Sequence, residues 1–230
     1  MLAKLLNKLE RVAAYLTLCE SRAAVRRARY SEILSELASA SWWGKATTRT
    51  PSDTAYTAAS PLDLSGAECD RFLSEIKSGS LYKKQYGCKL VLLRMDSTLR
   101  ESAEQASSIV FRPGGGKNMT TVEHVLPQNP AEGSKWTELF DEPAREELTN
   151  CAGNLVLLSK KKNSKVSNLE FKTKLETYFE LGTKVTKVSK FALTEDLKPY
   201  QEYTPKVVRE RRDRLVNQVR DAWQLKQPGM

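Results

Sequence analysis

The sequence predicts an α+β fold that is mostly helical. Apolar residues recur at steps of three and four through residues 2–39, which is the spacing of amphipathic helices. After residue 108 the pattern changes to β-branched and apolar runs beside a glycine-rich stretch, which is typical of short strands joined by a turn. With 230 residues, the chain is long enough for one large domain or two small ones.

Helices dominate the first hundred residues. Residues 2–39 are predicted to form one long helix or two stacked helices, and residues 41–60 a connecting loop that holds two adjacent tryptophans. Those tryptophans could stack on nucleic-acid bases, but burial in a core is the commoner use of this side chain. Two further helices are predicted over residues 63–77 and 81–99.

Strands and helices alternate in the remainder of the chain. The predicted elements are strands at 109–111, 119–126 and 153–158, and helices at 136–148, at about 168–181 and from Pro205 onward. Ser167 and Glu170 have the spacing of a capping box, which predicts that a helix begins at Asn168. The last helix should turn its apolar residues inward, namely Val208, Leu215, Val219 and Trp223.

The charge of the chain is uneven. Lys and Arg number 37 against 28 Asp and Glu, a formal charge of +9 that favours a polyanionic partner such as nucleic acid. Residues 1–117 hold 18 basic and 12 acidic side chains, residues 118–158 hold 2 and 7, and residues 159–230 hold 17 and 9. An acidic segment therefore lies between two basic ones, although a basic surface that is merely solvated has the same composition.

Several classes of protein are excluded. No run approaches the roughly 20 apolar residues that a membrane-spanning helix needs. The four cysteines are far apart and form no metal-binding pattern, so no zinc site is expected, and reduced, buried thiols are the simplest interpretation. The N-terminus lacks the apolar core of a secretory signal. These features favour a cytoplasmic protein.

The informative segment combines three short motifs. Glu123-His124 is followed by Pro127, Asn154-Leu155 lies in the next predicted strand, and Asn163 follows Asn154 by nine residues. This order resembles the HNH branch of the His-Me finger nucleases. The resemblance implies a ββα-metal motif embedded in the helical fold.

A closer resemblance is to the C-terminal nuclease domain of GmrSD-type modification-dependent restriction enzymes, which act in defence against phage. The further residues that match this family are Gln128, Trp136, Gly153, Ser167, Asn168, Phe171, Lys174, the arginine-rich run 209–214 and Trp223. The match extends over about residues 88–224. It suggests a helical platform at 1–105, a nuclease core at 106–182 and a basic helical tail at 183–230.

The resemblance implies roles that suit phosphodiester hydrolysis. His124 would be the general base, since an imidazole can accept the proton of an attacking water near neutral pH. Glu123 and Asn163 would bind Mg²⁺ or Mn²⁺, which prefer oxygen ligands. Asn154 would brace the motif and orient His124. The acidic segment around Glu123 would help to recruit the cation.

Contacts to DNA are expected from basic and polar residues near this motif. The candidates are Lys160, Lys161, Lys162, Lys165, Asn168, Lys174 and Arg211. A solvated charge run is the alternative for the lysines and the arginine, and a helix start is the alternative for Asn168.

The predicted function is divalent-metal-dependent cleavage of foreign or phage DNA. Full-length GmrSD-type proteins carry an N-terminal ParB-like nucleotide-using sensor domain, and no segment here resembles it, so the chain is expected to be a C-terminal fragment or a stand-alone effector. One active site per chain predicts nicking, or double-strand cutting by a homodimer or by successive nicks. The alternatives are an HNH nuclease of a toxin or mobile element and a non-catalytic DNA-binding module.

Overall fold

The computed structural model of the protein describes residues 2–39, 60–103, 120–179 and 191–225. Within these ranges the chain is mostly helical and carries a two-stranded antiparallel sheet, so the predicted α+β class is confirmed. The predicted strand at 109–111, the glycine turn after it, and Trp42 and Trp43 lie outside the described residues.

The elements follow one another along the chain in a simple order. The helices are α1 (Leu2–Cys19), α2 (Ala23–Ala38), α3 (Gly66–Lys77), α4 (Tyr86–Ser102), α5 (Lys135–Leu139), α6 (Glu142–Leu148), α7 (Lys160–Val166), α8 (Phe171–Phe179), α9 (Ala192–Glu195) and α10 (Pro205–Ala222). The strands are β1 (Thr120–His124) and β2 (Leu155–Ser159), and short 3-10 helices cover Leu81–Lys84 and Ala152–Asn154. Among the helices that the structure describes, none has the length and apolar character needed to cross a membrane.

The chain divides into two compact units, which comprise residues 1–76 with 220–230, and residues 77–219. In the first unit, the apolar stripe of α1 is buried toward its C-terminal end, where Tyr15 meets Phe72 of α3 edge-on at 5.9 Å. Phe72 in turn stacks on Trp223, with ring centroids 5.1 Å apart. The helix predicted over 63–77 begins at Gly66, and a capping box fixes that start, since Ser65 and Glu68 exchange backbone-to-side-chain hydrogen bonds.

The second unit is built around β1 and β2. The strands pair in the register Thr120↔Ser159 through His124↔Leu155. Four of the five residues of β2 are buried, and helices α4, α7 and α9 contact the strand. Because β2 is enclosed, its run of Leu and Val is continuous rather than alternating.

An aromatic cluster forms part of the core of the second unit. Tyr203 stacks on Phe171 at 5.0 Å and meets Trp136 edge-on at 6.4 Å. Its hydroxyl donates to the Gly153 carbonyl at 2.6 Å. Gly153 must be glycine, because a Cβ atom there would lie 2.2 Å from the Val208 carbonyl oxygen of α10.

Two predicted helices have different bounds. The stretch 136–148 is divided into α5 and α6, because Asp141 caps a new helix by accepting from the Ala144 amide at 2.9 Å. The predicted capping box at Ser167 is wrong. Ser167 ends α7 with φ of 31°, and Glu170 instead accepts from the Lys135 amide. Helix α8 therefore begins only at Phe171.

Two other predictions are confirmed. Helix α10 begins at Pro205, and the four apolar residues expected to face inward are all buried: Val208, Leu215, Val219 and Trp223. The four cysteines are free and buried. Burial raises the pKa of the Cys88 thiol to about 12, so this thiol stays protonated at neutral pH.

Candidate active site

His124 is the last residue of β1 and is held by two neighbours. Its Nε2 atom lies 3.1 Å from Oδ1 of Asn150, and its ring meets the Tyr82 ring edge-on, with centroids 4.3 Å apart. The Tyr82 amide donates to the Asn150 carbonyl at 3.0 Å, so these three residues form a closed set of contacts. The β-branched residues before His124 favour the strand, and Pro127 follows where the strand has ended.

The imidazole of His124 is neutral at physiological pH. Burial lowers the pKa of His124 from its usual 6.5 to about 4, the hydrogen bond to Asn150 opposes that change, and the positive charge of Lys174 adds to it. In the tautomer in which Nε2–H donates to Oδ1 of Asn150, Nδ1 carries the lone pair. The imidazole is therefore neutral and is held by a contact at Nε2.

The side chain of Asn154 links the chain just after His124 to the segment that ends at Thr149. Its Oδ1 accepts from the Leu126 amide at 2.7 Å, and its Nδ2 donates to the carbonyls of Leu126 and Thr149 at 2.9 and 2.8 Å. The side chain is fully buried, so these bonds satisfy its polar atoms within the protein. Asn154 thus links the exit of β1 to the segment that carries Asn150.

Glu123 lies on the opposite side of β1 from His124, because successive side chains of a strand alternate. Its Oε1 accepts from the Lys174 ammonium at 2.7 Å and from the Tyr178 hydroxyl at 3.2 Å, both on α8. Lys174 also donates to the His124 carbonyl at 2.6 Å. Burial raises the pKa of the Glu123 carboxyl, and the Lys174 charge and the two hydrogen bonds oppose that rise.

Asn163 lies on the same side of β1 as Glu123. Its Nδ2 donates to Thr121 Oγ1 at 3.0 Å and to the Val122 carbonyl at 2.9 Å. Thr121 and Glu123 are two residues apart on the strand, so their side chains share a face. The structure therefore places Glu123 and the Thr121 contact of Asn163 on one face of β1, and His124 on the other.

The donor chemistry of this face suits a hard divalent cation. Among the described residues there is no group of three or more His, Cys, Asp or Glu that could hold a metal ion. Glu123 and Asn163 instead offer one carboxylate and one amide oxygen, a pair that Mg²⁺ or Mn²⁺ accepts when water and phosphate complete the coordination. The Lys174 ammonium offsets part of the negative charge that would attract the cation.

Comparison with known protein families places the chain in one of them. The family model described as the C-terminal domain of GmrSD restriction endonucleases matches residues 67–218. The chain belongs to this family. The matched region begins in α3 and ends in α10, so it includes His124, Asn154 and Asn163. No curated protein and no solved structure matches the chain.

Family membership supports a nuclease whose substrate is DNA, and the structure narrows the residues that could contact it. Lys174 is fully buried against Glu123, and Arg211 is fully buried by bonds to Asp196 and to the carbonyls of Gly153, Leu155 and Leu193. Neither side chain has surface left for a phosphate, so the prediction that they contact DNA is withdrawn. Both residues instead hold elements of the GmrSD domain together.

The remaining DNA-contact candidates lie in or beside α7. Lys160 and Asn168 are exposed, and Lys162 is partly exposed, with its ammonium donating to the Tyr178 carbonyl at 2.5 Å. Lys161 and Lys165 belong to the same helix. Helix α7 contacts both strands and also carries Asn163.

Three residues at the site were missed by sequence reasoning: Asn150, Tyr82 and Tyr178. Asn150 contacts His124 across 26 positions, and nothing in its local sequence marks it. Tyr82 lies in a 3-10 helix far before β1. Tyr178 could be inferred, since Phe171, Lys174 and Tyr178 have the three- and four-residue spacing of one helix face.

Proposed function

We propose that this domain is an HNH-type, divalent-metal-dependent DNA endonuclease in which His124 is the general base. The observation that carries the proposal is the neutral imidazole of His124, fixed by Asn150 at the end of the strand that also holds Glu123. A base must be unprotonated and oriented before substrate arrives, and both conditions are met. The proposed context is restriction of foreign or phage DNA in the bacterial cytoplasm.

In this proposal His124 accepts a proton and Glu123 with Asn163 binds the metal, so a single phosphate would have to reach both groups where β1 ends. Nδ1 of His124 would take the proton of a water that attacks the phosphorus. Glu123 and Asn163 would hold Mg²⁺ or Mn²⁺, which when bound neutralises charge on the phosphate oxygens. Lys174 and Tyr178 would keep the Glu123 carboxylate in place by occupying Oε1. Asn154 would keep the end of β1 rigid.

The direct test is nicking of supercoiled plasmid by the purified protein with Mg²⁺ or Mn²⁺. Wild-type protein should convert the plasmid to the open-circular form, EDTA should stop the conversion, and His124→Ala should lower its rate at least 100-fold. Gln201→Ala, a truncation at an exposed residue, is the matched control and should cleave normally. Cleavage by His124→Ala at the wild-type rate would refute the assignment of the base.

A second variant tests the orientation of the base. Asn150→Ala removes the acceptor of Nε2–H, so the imidazole can rotate or change tautomer, and the rate should fall about 10- to 100-fold. Asn150→Asp keeps an acceptor and should retain more activity than Asn150→Ala. Equal loss in both variants would indicate that the fold, rather than the orientation of His124, depends on this position.

A non-catalytic DNA-binding module is the second candidate, and the ion pair between Lys174 and Glu123 favours it, because a carboxylate already paired with a lysine attracts a cation less strongly. In that case no metal would support nicking, and DNA affinity would fall steeply with salt and survive His124→Ala. An HNH nuclease of a toxin or mobile element would also nick plasmid, but family membership supports restriction.

Further partners follow from the proposal. Recognition of modified DNA and nucleotide control would reside in a ParB-like sensor module outside this chain.

Since each chain would hold one active site, cutting of both strands would need a homodimer or two successive nicks. The time course of cleavage distinguishes these, because two successive nicks give linear plasmid only after nicked plasmid has accumulated, whereas a homodimer that cuts both strands gives linear plasmid from the start.

A further inference from the structure

The segment 82–89 runs beside β1 and is fixed to it at two points. At one end, the Tyr82 ring lies 4.3 Å from the His124 ring, at the last residue of the strand. At the other, the Lys89 ammonium donates to the Thr120 carbonyl at 2.6 Å, at the first residue of the strand. The residues between these two contacts therefore flank the strand that carries the proposed base.

This segment presents an exposed aromatic ring and an exposed cation. Tyr86, the first residue of α4, is 76% exposed, and Lys83 is also exposed. Among the described residues of the second unit, the other large apolar side chain classed as exposed is Leu169, at 37%. Gln85 joins the 3-10 helix to α4 with φ of 47°, a conformation that is uncommon for a residue other than glycine. The Tyr86 ring is thus exposed to solvent, on a segment whose backbone conformation is defined.

We propose that Tyr86 and Lys83 form a DNA-contacting edge beside His124, with Tyr86 stacking on an unpaired base and Lys83 binding a phosphate. The inference rests on the proposed function, because it concerns DNA held at the same site. An exposed tyrosine offers a flat face to any base, and a neighbouring lysine matches the charge of the backbone. One ring is too small to be a protein interface, which usually buries more than about 1,000 Å².

The reach of the segment limits where on the DNA this contact falls. Tyr86 lies four residues after Tyr82, so the distance between their Cα atoms is at most about 14 Å. Bases along one strand of B-DNA are about 3.4 Å apart. Tyr86 therefore contacts the DNA within a short distance of the phosphate next to His124, so the edge acts on nucleotides near the cleaved bond.

Fluorescence anisotropy in EDTA measures this contact without cleavage. The probes are a labelled 20-base-pair duplex and the same duplex with a two-nucleotide bubble. Tyr86→Ala should weaken binding to the bubble about tenfold, and binding to the paired duplex by less, because only the bubble offers an unstacked base. Tyr86→Phe should restore tight binding. Lys83→Gln should reduce the slope of log affinity against log salt by about 0.9.

Matched controls remove the same chemical groups elsewhere. Tyr30→Ala removes a tyrosine that is 39% exposed, and Lys206→Gln removes a lysine whose side chain is 83% exposed. Equal affinity of Tyr86→Ala and wild type for the bubble would overturn the proposal, as would equal weakening by Tyr30→Ala. A lack of DNA binding together with a lack of plasmid nicking by wild type would refute the proposed function as well, whereas wild-type binding that Tyr86→Ala leaves unchanged refutes the edge alone.

Discussion

Protonation of His124 is expected near pH 4 in the folded protein, well below the usual 6.5, because burial lowers the pKa of His124 to about 4. The chain contains one histidine, so the Hε1 proton of its imidazole gives a single NMR signal that needs no further assignment once any affinity tag is removed. A pH titration in EDTA should move this signal with a midpoint near 4 in the folded protein. In concentrated urea the midpoint should return to about 6.5.

The difference between the pKa values of His124 in the folded and unfolded protein predicts how stability depends on pH. Below about pH 6.5 the unfolded chain takes up a proton on His124, whereas the folded protein does so only near pH 4. The unfolded state therefore binds more protons in this interval, and the free energy of unfolding falls as the pH falls, by up to about 1.4 kcal/mol per pH unit. Between pH 7 and pH 5 the loss due to His124 is about 2 kcal/mol.

Urea unfolding at pH 7 and pH 5, followed by tryptophan fluorescence, measures this loss. His124→Gln should be less sensitive to the change of pH than wild type, by about 2 kcal/mol. Burial raises the pKa of Glu123 and of Asp96, but both carboxyl groups are present in both proteins and cancel in the comparison. A folded-state NMR midpoint near 6.5, or equal pH sensitivity of the two proteins, would refute the assignment of a buried, neutral imidazole.

Three substitutions test the contacts around the site by urea unfolding. Lys174→Met should destabilise the domain by about 3–5 kcal/mol, because it leaves the buried Glu123 carboxylate unpaired. Adding Glu123→Gln should recover part of that loss of stability, and no recovery would argue against the ion pair. Asn154→Ala should cost about 3 kcal/mol or more, since the buried Leu126 amide loses its acceptor; a loss below 1 kcal/mol would show that water replaces the side chain. Gly153→Ala should lower the melting temperature, because the added methyl group meets α10 at 2.2 Å, and an unchanged melting temperature would contradict that packing.

The strands and their motif could be predicted from the sequence because their signals are local. The β-branched run before His124 and the apolar run after Asn154 define β1 and β2, and both strands form there. The pairing of His124 with Asn150 could not be predicted, since it joins two segments through a turn geometry that no short pattern encodes. Likewise, Tyr82 reaches the site only through the tertiary fold.

Charge alone misled the prediction of surface contacts. Lys174 lies between Phe171 and Tyr178 on the buried face of α8, and Arg211 lies between Val208 and Leu215 on the buried face of α10. In both helices a cation occupies a position that the helical period assigns to the core. Periodicity therefore indicated their burial correctly, and each charge is matched by a buried or partly buried carboxylate.

The alternation of Glu123 and His124 along β1 has a consequence for the length of that strand. Deleting one residue before Glu123, while the pairing with β2 is retained, would turn the carboxylate toward Tyr82 and the imidazole toward Lys174. Deleting two residues would restore each group to its own side. Variation in the length of this strand should therefore be tolerated in steps of two, and an odd change should separate Glu123 and His124 from their present partners while leaving the sheet itself intact.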